Sequence, residues 1–98
     1  MRIEHLEYIV KIADLGSINK ASKALYINQQ QLSKIVQDLE KEFGCKIFYR
    51  YSSGVELTSQ GKEIYDAAQQ VLQTMDELHA KLNNTNEITG TVTIYSTI

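Results

Sequence analysis

Proline and tryptophan are absent from the 98-residue sequence, and cysteine occurs once, as Cys45. A single cysteine excludes a disulfide within the chain and fits a reducing compartment, so we expect a cytoplasmic protein. No run of eighteen apolar residues occurs, and we therefore expect no membrane-spanning helix. The length predicts one small domain. Because so short a chain buries a limited fraction of its surface, added stabilisation by a second subunit would fit.

Catalytic and metal-binding groups are also scarce. His5 and His79 are far apart in sequence and have no nearby cysteine or paired acids, so we expect exposed helix residues rather than a metal site. No Ser/His/Asp set, plausible carboxylate pair or glycine-rich phosphate loop is recognisable. We therefore expect neither an enzyme nor a cofactor in this chain.

Charge is unevenly distributed along the chain, whose net charge is −2. Residues 17–50 hold six Lys or Arg against three acids, whereas residues 51–98 hold two against six. A basic segment on an acidic chain fits contact with nucleic-acid phosphates. Lysines scattered over solvated surfaces would give the same count, so charge alone leaves both interpretations open.

Apolar residues at helical spacing predict three helices in the first half of the chain. The first, roughly over residues 2–14, is expected to end at Gly16, after which Ser17 is a good N-cap for a short second helix. Asn28 can cap the third helix, which we expect to close at Gly44. About three residues separate the second helix from the third, as in a helix-turn-helix. The residues expected in the core are Leu32, Val36, Leu39, Phe43 and Phe48.

Residues 46–58 change to the alternating pattern of β-strands, interrupted by the turn signal Ser52-Ser53-Gly54. Two short strands are predicted, and the hairpin must pack on the helices because an isolated hairpin is marginally stable in water. The predicted fold class is therefore mainly α. It is a winged helix-turn-helix over residues 1–58, with the hairpin as the wing, followed by a long dimerisation helix.

That long helix is predicted over residues 59–85 and carries an apolar seam with alternating spacings of four and three. The seam residues are Ile64, Ala68, Val71, Met75, Leu78 and Leu82. A regular seam of this length favours pairing with a second chain, so we expect a homodimer. The alternative is that the seam packs on its own domain, although such helices more often show a wider apolar stripe.

Residues 86–98 alternate between polar and apolar positions and predict a hinge followed by a strand, with Val92 and Ile94 on one face. A lone strand has nothing in this sequence to pair with. We therefore expect the chain to continue into a second domain.

Several short motifs, in order and at matching spacing, resemble the N-terminal domain of LysR-type transcriptional regulators. The resemblance extends from Leu6 to Thr93. The matching positions are Gly16-Ser17, Ala21-Ser22 with Leu25, Asn28-Gln29 with Leu32-Ser33, Leu39-Glu40, Gly44, Ile47-Phe48 with Arg50, and Leu57-Thr58 with Gly61.

The resemblance implies a sequence-specific transcriptional regulator whose partner is double-stranded DNA and which dimerises through the linker helix. Family members are commonly dimers of dimers, so a full-length tetramer is expected. Residues 86–98 then correspond to the hinge and first strand of an effector domain that binds a small molecule. A winged-helix interaction module that dimerises without binding DNA is the alternative function.

If the third helix enters the major groove, its first turn faces the base edges. The residues expected to contact DNA are Asn28, Gln29, Gln30, Gln31, Ser33 and Lys34 on this helix, Ser17, Asn19 and Lys20 on the second, and Arg50 and Ser53 on the wing. A glutamine amide can pair bidentately with adenine. For each glutamine, a merely solvated polar side chain is the alternative.

Two departures from the family pattern concern these same regions. Gln30-Gln31 stands where the family often has Pro-Ala, which either adds two base-reading amides or loosens the start of the helix. The tip of the wing lacks the cation often found there in the family. A strong contact between the wing and phosphate is therefore in doubt, although Ser53 retains a hydroxyl donor.

Overall fold

A computed structural model describes residues 2–88 of the chain, with side chains over residues 2–83. The described elements are α1 (Ile3–Leu15), α2 (Ile18–Leu25), α3 (Gln29–Phe43), β1 (Phe48–Tyr51), β2 (Gly54–Leu57) and α4 (Ser59–Ile88). Three helices followed by an antiparallel hairpin and a long helix confirm the predicted fold class.

The helix ends follow the predicted signals. Gly16 and Gly44 adopt the left-handed conformation after α1 and α3, with φ of 66° and 71°. The Ser17 hydroxyl accepts a hydrogen bond from the Lys20 amide at 3.1 Å and caps α2. These local contacts satisfy backbone groups that a helix leaves unpaired at its ends.

Tyr26 ends α2 in an unusual way. It is the one non-glycine residue with positive φ in the described part of the chain, at φ 57° and ψ 42°. This conformation costs an L-residue roughly 1–2 kcal/mol. The side chain is 95% exposed, so packing against the protein does not offset that cost.

The core lies where the three short helices meet the start of β1. It consists of Ile9, Ile12, Ile18, Ala21, Leu32, Val36, Leu39, Ile47 and Phe48. Phe43 was expected in the core, but it is 39% exposed, so that prediction is wrong. At the last turn of α3 its ring lies beyond the core and instead borders a groove beside Leu6 and α4.

The start of β1 is held from two sides. One oxygen of the Glu40 carboxylate on α3 accepts hydrogen bonds from the Ile47 amide at 2.8 Å and the Phe48 amide at 3.4 Å. From the other side, the buried Thr58 hydroxyl donates to the Lys46 carbonyl at 2.5 Å and accepts from the Gly61 amide at 2.9 Å. Thr58 therefore both anchors the strand and caps α4.

The turn of the wing packs against the turn between α1 and α2. The Val55 amide donates to the Gly16 carbonyl at 3.0 Å. Gly54 adopts φ 144°, and a Cβ atom there would clash with that same carbonyl oxygen. Only glycine satisfies both the conformation and the close approach. The wing is thus fixed relative to the start of α2.

α4 is a helix about 45 Å long, and α1 packs against it. The Tyr65 hydroxyl donates to the Asp14 carboxylate at 2.5 Å, and this hydrogen bond raises the pKa of Tyr65. The helix continues to Ile88 rather than ending at residue 85. The strand predicted for the C-terminal segment lies at residues 89–98, outside the described residues.

Candidate nucleic-acid interface

The first turn of α3 presents three glutamine side chains to solvent. Gln29, Gln30 and Gln31 are exposed, and their carboxamides make no hydrogen bond within residues 2–83. The Asn28 side chain accepts from the Gln30 amide at 2.7 Å and from the Gln31 amide at 3.2 Å. Asn28 is therefore occupied as the cap, while the glutamine amides are available to hydrogen-bond base edges.

The predicted wing arginine, Arg50, is joined to α3. Arg50 donates from one terminal nitrogen to the Ser33 hydroxyl at 3.0 Å. This hydrogen bond joins β1 to α3 through two residues that were each expected to contact DNA. The guanidinium keeps further N–H donors in a planar arrangement suited to phosphate.

Lys34 is exposed and pairs with Asp38 one turn later, with 3.6 Å between the ammonium nitrogen and the carboxylate oxygen. Both side chains are mostly in solvent, so the pair stabilises the helix by at most a few tenths of a kcal/mol. Breaking it costs little. The Lys34 ammonium can therefore exchange Asp38 for a phosphate or a guanine.

A polar recess of about 310 Å³ opens between the start of α2, the start of α3 and the wing. Its lining residues are Ser17, Ile18, Asn19, Gln29, Arg50, Tyr51, Ser52, Ser53, Gly54 and Val55. Five of the predicted contact residues meet here, from three elements that lie apart in the sequence. The predicted residues outside this lining are Lys20, Asn28, Gln30, Gln31, Ser33 and Lys34.

Sequence reasoning missed the residues that position this surface. Glu40, Thr58 and Gly61 belong to the matching motifs, but the sequence does not show that they hold β1, which carries Arg50. A Cβ atom at Gly61 would clash with the Ile47 carbonyl oxygen, so α4 approaches β1 closely only with glycine there. Tyr51, which lines the recess, was also missed, because no motif includes it.

The seam of α4 divides into two parts. Ala68 is 1% exposed and Ile64 packs against the core, so the first part is covered by its own domain. Val71 is 41% exposed and Leu82 is 52% exposed, and Leu78 between them is also exposed. The beginning of the seam thus packs on its own domain, as in the alternative. From Val71 onward the domain covers the seam only in part, and Leu78 and Leu82 are exposed.

Met75 is half-buried and borders a shallow groove with Leu72 of α4 and Ile3 of α1.

Within residues 2–88, no helix is both long and apolar enough to cross a membrane. The described side chains include no cluster of three or more His, Cys, Asp or Glu placed to hold a metal ion.

The sequence matches the family model for bacterial regulatory helix-turn-helix proteins of the lysR family over residues 3–62. It is 40% identical over 72 residues to the HTH-type transcriptional regulator TfdT of Cupriavidus pinatubonensis, covering 74% of this chain and 32% of that protein. It is 35% identical over 95 residues to the nitrogen assimilation regulatory protein nac of Klebsiella aerogenes, covering 96% of this chain and 31% of that protein. The chain thus spans about a third of the length of these relatives.

Solved structures share the fold. The complex of the BenM DNA-binding domain with catB site 1 DNA matches with a TM-score of 0.84 and 29% identity, covering 96% of this chain and 100% of that one. The complex of the same domain with benA site 1 DNA gives a TM-score of 0.80 and 32% identity, covering 86% and 98%. Full-length OxyR C199D from Pseudomonas aeruginosa gives a TM-score of 0.78 and 33% identity, covering 86% of this chain and 28% of that one.

Three helices, a wing and an exposed polar turn at the start of α3 define a winged helix-turn-helix protein. The chain belongs to the LysR family of bacterial regulatory helix-turn-helix proteins, which confirms the resemblance noted in its motifs.

Proposed function

We propose that this chain is the DNA-binding part of a LysR-type transcriptional regulator and reads duplex sequence with the first turns of α3. The observation that carries the proposal is the set of free glutamine amides on that turn, adjacent to a recess that contains Arg50. Amides and a guanidinium provide the two kinds of contact that duplex recognition requires, to base edges and to phosphates. Homologous domains in complexes with DNA support this assignment.

In this arrangement the residues divide into two groups by the part of DNA they contact. Gln29, Gln30 and Gln31 are proposed to face base edges, with Ser33 and Lys34 one turn further along. The proposed phosphate contacts are Ser17, Asn19, Lys20, Arg50 and Ser53. The Asn28 carboxamide oxygen accepts two backbone hydrogen bonds, so only its amino group remains to donate to DNA.

The second part of the proposal is a homodimer through α4. The exposed part of the seam, Val71, Leu78 and Leu82, supports pairing between two copies of this helix. Two recognition helices on one dimer would contact half-sites about one helical turn, or a multiple of it, apart. We take residues 1–58 as the DNA-binding unit and α4 as the linker.

For the whole protein we propose a cytoplasmic regulator without enzymatic activity, with an effector domain that binds a small molecule and with tetrameric assembly. These proposals rest on family membership and on the larger size of the relatives. The segment after α4, residues 89–98, is proposed to contain the hinge and the first strand of that effector domain.

Selection of bound duplexes from a random pool tests the function directly, followed by affinity measurements from low to high salt. We expect one recovered motif in two related halves, with affinity that falls steeply with salt because phosphate contacts release counterions. A folded dimer that binds no duplex even at low salt would contradict DNA binding. It would favour the alternative, an interaction module that dimerises without DNA.

A further inference from the structure

Tyr51 is the last residue of β1 and lines the polar recess beside Arg50 and Ser53. It is 54% exposed, and its hydroxyl has no hydrogen-bond partner among the described side chains and backbone. We propose that Tyr51 contacts the DNA backbone, with its hydroxyl donating to a phosphate oxygen at the recess. This inference rests on the proposed duplex-binding function and adds a residue that the family motifs do not include.

The wing beyond Arg50 offers no positive charge to a phosphate. Between Arg50 and Lys62 the sequence contains no cation, and Glu56 on β2 is negative. A phenol hydroxyl is neutral, so it approaches phosphate without an ammonium or guanidinium group that must lose its hydration. A hydrogen bond from this hydroxyl to a charged phosphate oxygen is charge-assisted and roughly twice as strong as a neutral pair. Tyr51 thus adds a second neutral donor beside Ser53 in a part of the wing that has no cation.

The neighbours of Tyr51 hold its backbone in place on both sides. The preceding residue, Arg50, is bonded to Ser33 of α3. Beyond the turn, the Val55 amide is bonded to Gly16. Because the backbone is fixed before DNA arrives, the entropy lost when the phenol contacts phosphate is confined to the side-chain torsions of Tyr51.

Tyr49 provides a matched control on the same strand. It is 52% exposed, close to the value for Tyr51, but it does not line the recess. It pairs with Glu56 in the hairpin register, whereas Tyr51 pairs with Gly54 at the turn. Tyr49→Phe and Tyr51→Phe therefore each remove one phenol hydroxyl from a site of nearly the same exposure. Only Tyr51 lies at the proposed contact.

The experiment measures the affinity of both variants and the wild-type chain for the selected duplex and for an unrelated duplex, over a series of salt concentrations. We expect Tyr51→Phe to bind both duplexes about tenfold more weakly, the effect of one hydrogen bond to a charged group. The loss should be the same on both duplexes because every sequence has phosphates. The dependence on salt should stay unchanged, since no charge is removed. Tyr49→Phe should bind like wild type.

Equal affinities of Tyr51→Phe and wild type, with wild type binding its selected duplex, would overturn the role of Tyr51 and leave the proposed function intact. Equal losses in Tyr49→Phe and Tyr51→Phe, or a loss on the selected duplex alone, would also overturn the phosphate contact. Failure of the wild-type chain to bind any duplex would overturn both proposals. Thermal unfolding of each variant establishes that the fold is retained, and no packing is lost because phenylalanine keeps the ring.

Discussion

At the scale of single residues, the unusual Gln30-Gln31 pair does not loosen the start of α3. The Asn28 side chain accepts hydrogen bonds from the amides of both residues. A proline in place of Gln30, the second residue of α3, would stiffen the turn through its ring but would have no amide to donate to Asn28. An N-cap of this kind stabilises a helix by about 1 kcal/mol. The first turn is therefore ordered by hydrogen bonds, and both glutamine side chains remain available.

Gln29→Ala tests base reading at this turn. We expect the preference at one base position to be lost, at a cost of about 1–3 kcal/mol on the selected duplex, because a bidentate amide contact is removed. The dependence of affinity on salt should not change. Gln37→Ala, on an exposed position two turns further along α3, is the control and should leave the selected motif unaltered. An equal loss on every sequence would exclude Gln29 as a reader.

Tyr26→Gly tests the strain at the end of α2. Glycine adopts the left-handed conformation without the steric cost of a side chain, so we expect the free energy of unfolding to rise by about 1 kcal/mol. Lys23→Gly, an exposed position inside the same helix, should lower it by about the same amount. Urea unfolding measures both changes. If Tyr26→Gly is destabilising instead, the exposed ring makes a stabilising contact in solution.

At the scale of secondary structure elements, the wing is positioned by side chains outside the hairpin. Glu40 holds the beginning of β1 from α3, and Thr58 holds it from the cap of α4. One threonine hydroxyl thus both accepts from the helix backbone and donates to the strand. The position of Arg50 near Ser33 follows from these anchors together with the hairpin register.

Thr58→Val keeps the shape of this buried side chain and removes its hydroxyl. We expect the free energy of unfolding to fall by about 2 kcal/mol, because the Gly61 amide loses its acceptor and the Lys46 carbonyl loses its donor. Ser59→Ala, at the next and exposed position, should change it by less than about 0.5 kcal/mol. Equal effects in chemical unfolding would contradict the double role of Thr58.

Local signals explain which features the sequence predicts. The caps at Gly16 and Gly44 specify where α1 and α3 end, and the cap at Ser17 specifies where α2 begins. Each cap depends on residues within one turn. The recess could not be predicted, because it depends on how α2, α3 and the wing approach one another. Nor could the exposure of Phe43, since helical spacing assigns a residue to a face but does not show where the core ends.

At the scale of the whole molecule, the seam of α4 has two parts that differ in how far the domain covers them. Its beginning is covered by the domain through Ile64 and Ala68, which orients the helix. Its continuation carries exposed apolar side chains at Val71, Leu78 and Leu82, which the domain covers only in part or not at all. A regular heptad pattern does not distinguish these parts, because the same apolar residues can pack either on their own domain or on a second copy of the helix.

Leu78→Asp tests the homodimer while leaving the domain unchanged. Leu78 is exposed in the single chain, so we expect the thermal stability of the domain to be retained. The dimer Kd should rise at least about a hundredfold, since both copies lose a buried leucine. Ala80→Asp, exposed and outside the seam, should dissociate like wild type. Sedimentation across a concentration series measures both, and a dimer of unchanged affinity would contradict pairing through this helix.

The contact between the wing and the turn after α1 also provides a measure of wing motion. The Val55 amide proton is held by the Gly16 carbonyl, although Val55 lies at the edge of a two-stranded hairpin. Its exchange with deuterium requires the hairpin to separate from the helices, so the exchange rate of this single amide reports how often the wing opens.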